Sequence, residues 1–94
     1  MDVLRVTTSG ETDSTVTLQV EGEVTSVWSS VLESECLRYL KTHKNLVLDF
    51  SGVTRVDRHG ARILTTLQAR HVRLINCWPL LEDQIHDLSS DEMV

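Results

Sequence analysis

The chain has 94 residues, 40% apolar and 24% charged, with a formal net charge of −5. This is enough for one hydrophobic core and points to a single domain spanning residues 1–94. The negative balance argues against a non-specific nucleic-acid binder. No apolar run approaches the ~20 residues of a membrane span, so a cytoplasmic protein without membrane insertion is expected.

Residues 3–6 alternate in polarity and read as a short edge strand. Residues 8–14, rich in Thr, Ser, Gly and Asp, form a cluster of turn formers. Residues 15–20 alternate strictly, with Val16, Leu18 and Val20 on one face and Thr15, Thr17 and Gln19 on the other. The two runs predict an antiparallel hairpin whose second strand closes at Glu21, Gly22, Glu23 and Val24. Thr25 or Ser26 can then cap a helix over about residues 27–42. Trp28, Leu32, Cys36 and Tyr39 step by four, four and three, and Val31 and Leu40 widen the stripe. That spacing predicts a helix packed on a sheet with Trp28 in the core.

Leu46, Val47, Leu48, Asp49 and Phe50 make a nearly continuous apolar run, as in a central parallel strand covered on both faces. Ser51 and Gly52 break it, and Val53 and Val56 then pin a loop to the core. Asp57 suits the N-cap of a helix over about 58–70, with Ile63, Leu64 and Leu67 as its buried stripe and Ala61 alongside. Residues 72–76 form another short strand. Pro79 suits the first turn of a last helix in which Trp78, Leu81, Ile85 and Leu88 recur. Residues 89–94 are a polar, acidic end expected to fray. The predicted fold is α/β: a mixed four-stranded sheet, an N-terminal hairpin plus parallel strands, packed with three helices in the order β-β-α-β-α-β-α.

Charge is segregated. Between residues 55 and 73, Arg55, Arg58, Arg62, Arg70 and Arg73 stand against Asp57 alone. After residue 81, Glu82, Asp83, Asp87, Asp91 and Glu92 meet no Lys or Arg. Two solvated faces of opposite sign, or a basic recognition face on the second helix, both follow from this pattern. Cys36 and Cys77 lack metal-ligand spacing and read as free, mostly buried thiols. His43, His59, His71 and His86 are scattered, so no metal site is expected. Asp57 and His59 have no nucleophile beside them, and Gly52 and Gly60 do not make a phosphate loop. Neither an enzyme nor a bound cofactor is expected.

Two segments together resemble the STAS domain, the family of sulfate transporters and anti-sigma factor antagonists. The first runs from Leu48 through Asp57 and Gly60 to Leu64: a hydrophobic strand, a short loop, an aspartate, a glycine and a helix. The second runs from Val72 to Leu81 and is similar to the family's late strand and proline-started last helix. Gly22, Glu23, Val24 and Thr25 stand where members turn from the second strand into the first helix.

The resemblance implies a protein-binding regulatory module. Free-standing members bind an anti-sigma factor that is also a serine kinase, and phosphorylation of the serine after the aspartate breaks the complex. Here Arg58 follows Asp57, so no phosphorylation is expected at position 58. Ser51, Thr54, Thr65 and Thr66 are nearby hydroxyls with no spacing that marks them. The expected partner face is Arg55, Asp57, Arg58, His59 and Arg62, with Asp57, Gly60 and Pro79 in capping or structural roles. Arg58 would hold a partner carboxylate and His59 would add pH sensitivity. Other members sit on the cytosolic side of transporters. The alternative reading is therefore an accessory subunit of an ABC-type lipid or anion transporter, bracing its ATPase. A homodimer through the first strand or Trp78 is a third possibility.

Overall fold

A computed structural model describes residues 4–90. Four strands, β1 (Arg5–Glu11), β2 (Thr15–Val24), β3 (Asn45–Val56) and β4 (Arg73–Ile75), form one sheet in the order β1-β2-β3-β4. Helices α1 (Ser26–Leu40), α2 (Arg58–Ala69) and α3 (Pro79–Ser90) alternate with the last three strands. β1 and β2 are antiparallel, while β2–β3 and β3–β4 are parallel. The sheet is mixed and the element order is the one the sequence predicts.

The pairing register aligns the apolar rows. Val16 lies beside Leu46 and Leu18 beside Leu48, so the buried sides of β2 and β3 form one continuous floor. Leu32 and Cys36 of α1, Ala61, Leu64 and Leu67 of α2, and Leu81 and Ile85 of α3 join it in a single buried cluster. The sheet advances from β2 to β3 to β4 in one direction. Right-handed crossovers then place α1 and α2 on the same side. This corrects the expectation that β3 is covered on both faces: Leu46, Leu48 and Phe50 are buried, whereas Val47 and Asp49 on the reverse face are only partly covered.

Several boundaries move for related reasons. β1 begins at Arg5 and continues through the expected turn cluster to Glu11, because β2 offers it a ladder of partners, with an irregularity between Thr8 and Gly10. An exposed edge strand has no apolar row to betray it, so its polar residues read as a turn. The predicted residue Val3 lies outside the described residues. β3 likewise does not break at Ser51 and Gly52. Two register shifts, one between Gln19 and Glu21 and one between Gly22 and Glu23, each absorb an extra β3 residue, and the strand runs on to Val56. Val53 and Val56 are buried strand residues rather than loop anchors.

α1 is rolled relative to its predicted stripe. Ser29, Leu32 and Cys36 face the core, whereas Trp28 keeps 36% of its surface and Val31 45%. Burying Ser29 costs little because its hydroxyl donates to the Ser26 carbonyl within the helix. Trp78, expected in the last helix's stripe, is also partly exposed, and its indole N–H donates to the Val53 carbonyl at 3.2 Å. The Leu88 side chain and residues 91–94 lie outside the described residues. No helix among the described residues is long and apolar enough to cross a membrane.

Candidate functional site

The three parallel strands each hand over to a helix, so α1, α2 and α3 all start at the carboxyl edge of the sheet. In open α/β folds this edge is where ligands and partners are met. Its organising residue is Asp57. The residue is extended (φ −96°, ψ −176°) and is the N-cap of α2. Its Oδ1 accepts the Gly60 N–H at 2.8 Å. Its Oδ2 accepts the Ser26 N–H at 3.0 Å, thirty-one residues away at the start of α1.

One carboxylate thus closes two helix starts. Thr25 occupies the N-cap position of α1 but makes no side-chain capping bond. Ser26 sits in the left-handed region (φ 48°) with its N–H bonded to Asp57. Each helix start carries orphan N–H donors and a positive end of the helix dipole, and a single anion serves both. The sequence suggested Thr25 or Ser26 as the cap of α1. The cap comes instead from the next helix, which only the parallel β2–β3 pairing brings alongside.

Gly60 completes the joint. A Cβ placed there would lie 2.0 Å from the Val24 carbonyl oxygen, so only glycine lets the first turn of α2 approach the end of β2 this closely. The Asp57 N–H donates to that same carbonyl at 3.3 Å. On the neighbouring flank, Ser30 Oγ and His59 Nε2 stand 3.2 Å apart, a side-chain bond across the α1–α2 seam.

Arg58, His59 and Arg62 are exposed on the solvent side of this joint. Arg58 and Arg62 are four residues apart and share one face of α2, opposite the buried Ala61, Leu64 and Leu67. Arg55 is exposed on β3 and lies 4.0 Å from Glu23 on β2, so its contact is with the sheet rather than with the α2 row. Pro79 is the first residue of α3. Asp57 differs from its exposed neighbours: it is partly covered and both its oxygens hold backbone N–H groups.

Asp57 does not extend the Ser30–His59 contact into a triad. The Ser30–His59 contact pairs a hydroxyl with an imidazole, but the Asp57 oxygens bond to Gly60 and Ser26 and not to His59. Among the described residues no three His, Cys, Asp or Glu side chains could hold a metal ion together. Both thiols are free. Burial, with Glu35 and Glu33 nearby, pushes the Cys36 thiol up to about 12, and burial with Glu82 nearby raises that of Cys77. Ser30, Val27 and Val31, which adjoin the site on α1, were missed by sequence reasoning. The signal was present as the alternative stripe Ser29, Leu32, Cys36, but counting apolar residues favours the register through Trp28.

The family model described as "Mlab, STAS domain" matches residues 7–74. The fold is similar to that of the anti-sigma factor antagonist SpoIIAA in its unphosphorylated form, with a TM-score of 0.63 and 16% identity over 94% of this chain and 81% of that one. It is also similar to part of the murine anion transporter Slc26a9 in its inward-facing state, with a TM-score of 0.67 and 15% identity over 98% of this chain. That match spans only 19% of the transporter chain. At these identities the two structures speak to fold alone. No curated protein is similar enough to this sequence to count as a relative. The family match extends over most of the chain, from β1 into β4, and the sheet and helices follow the same plan: this chain belongs to the STAS domain family.

Proposed function

We propose that this chain is a non-catalytic, cytoplasmic regulatory module that binds a protein partner through the rim formed by Asp57, Arg58, His59 and Arg62, with Arg55 at its margin, and that it works without a serine phospho-switch. The observation that carries this reading is the division of labour at the rim. The Asp57 carboxylate is committed to backbone N–H groups of two helices, while Arg58 and Arg62 lie exposed on one face just beyond it. Asp57 builds the joint and the arginines present charge. A guanidinium suits this role because it can grip a carboxylate with two parallel bonds. Arg58 has no hydroxyl to accept a phosphoryl group.

The likeness to an anti-sigma factor antagonist supports a partner of the anti-sigma, kinase-like class. A second reading has its own support. The likeness to a segment of an anion transporter favours a module that serves a transporter, and an accessory subunit bracing a transporter ATPase is the form of it that the family resemblance implies. Pull-down separates the two by what is recovered. In either case Arg58→Glu should abolish recovery while leaving the fold intact, since an exposed acid at a helix start is mildly favourable. Unchanged recovery would count against this rim. Incubation with an anti-sigma kinase and ATP should leave the intact mass unchanged.

A further inference from the structure

The α1–α2 surface carries two rows of equal spacing. Val27 and Val31 lie one helical turn apart on α1, with 69% and 45% of their surfaces exposed, unusual for valines in a helix that has a core to pack against. Arg58 and Arg62 lie one turn apart on α2 and are also exposed. Both rows occupy the first turns of helices that start at the same sheet edge, so they stand at the same height. The Ser30–His59 bond at 3.2 Å links the two helices. Packed helices are separated by about 8–10 Å, a spacing that a third helix laid along their outer faces can span.

We propose that this surface receives an amphipathic helix of a protein partner, with an apolar ridge at i and i+4 seated on Val27 and Val31 and a flanking row of carboxylates on Arg58 and Arg62. The inference rests on the reading that this rim recognises a protein, and it names the chemistry of the segment recognised. Charge complementarity fixes the sign. At this surface Arg58 and Arg62 stand beside one acid, Asp57, whose carboxylate accepts two backbone N–H groups, in a chain whose net charge is −5. An acidic helix would meet attraction at the α2 row and repulsion over most of the remaining surface, which selects this seat. The apolar row adds what exposed ion pairs lack, a desolvated contact that fixes the helix's rotation. The Ser30 and His59 side chains remain as polar groups able to bond the partner's flank.

The test uses the full chain and a helix-stabilised peptide of about 15 residues, long enough to hold helical form when stapled. The peptide bears two leucines four apart and two glutamates four apart on the adjoining side. A twin carries lysines in place of the glutamates. In an amide ¹H–¹⁵N titration the acidic peptide should shift residues 27–31 and 58–62 in a saturable manner, and the lysine twin should bind at least about tenfold more weakly. Arg62→Glu should weaken the acidic peptide and favour the twin, while Val31→Asp should weaken both. Both positions are exposed, and circular dichroism will report that the variants fold. Absent shifts, shifts centred on another face, or indifference to Arg62→Glu would overturn the proposal. If the surface takes the peptide but the Arg58→Glu pull-down is unchanged, the seat stands and the regulatory partner falls. If the pull-down effect holds and the peptide leaves the surface untouched, only the present inference falls.

Discussion

Replacing Asp57 with alanine removes acceptors from two backbone N–H groups at once, those of Gly60 at 2.8 Å and Ser26 at 3.0 Å. Losing an N-cap costs about 1 kcal/mol within a range of roughly 0.5–2. The second bond is also made to a charged acceptor and should contribute a similar amount. Asp57→Ala is therefore expected to cost about 2–3 kcal/mol, a shift of about 10–20 °C in Tm for a domain of this size. Asp57→Asn keeps one acceptor oxygen and turns an amide NH₂ toward the other donor, so about half that loss should remain. Thr25 makes no side-chain capping bond, and Thr25→Ala should stay within about 0.5 kcal/mol of the parent. Urea unfolding of the three variants measures the ranking, with the m-value as a check that the same surface is exposed. Equal losses for Thr25→Ala and Asp57→Ala would refute the shared cap. So would an Asp57→Asn variant as stable as the parent.

Gly60→Ala should lose about 3 kcal/mol or fail to fold, because its Cβ meets the Val24 carbonyl at 2.0 Å, whereas Gly10→Ala has only Thr17 Cβ at 4.0 Å and should be nearly neutral; thermal melts compare them. Thiol labelling of the native protein should modify the partly covered Cys77 before the buried Cys36, whose reaction should wait for unfolding; mass spectrometry gives the order. The Ser51 N–H, followed by the Asn76 side chain, holds the Asp49 carboxyl below its ordinary value. A lowered folded-state value stabilises at pH above the unfolded-state value and is lost as pH falls through the folded one. The stability gap between parent and Asp49→Ala should thus narrow on acidification, as acid-limb unfolding curves will report.

Chain order, the α/β class and the start of α2 were legible in the sequence because each rests on a local pattern. Alternation in β2, an apolar run in β3 and an acid before the Ile63–Leu67 stripe carry their own periods and caps. The length of β1 was not legible, since a polar edge strand is defined by its partner's register and not by its own residues. The roll of α1 was not either. Two stripes through Leu32 and Cys36 compete, and the tertiary packing buries Ser29 and leaves Trp28 partly exposed.

The sequence by itself settled the order and type of the strands and helices, and placed Asp57, Arg58 and Arg62 at the opening of α2. Only the tertiary structure decided that Asp57 also caps α1, that Gly60 must be bare to meet Val24, and that Val27 and Val31 stay exposed. The physical reason is reach. A helix period or a cap acts over a few neighbouring residues, whereas the joint links residues 31 positions apart through parallel pairing of β2 with β3. No local pattern encodes that pairing.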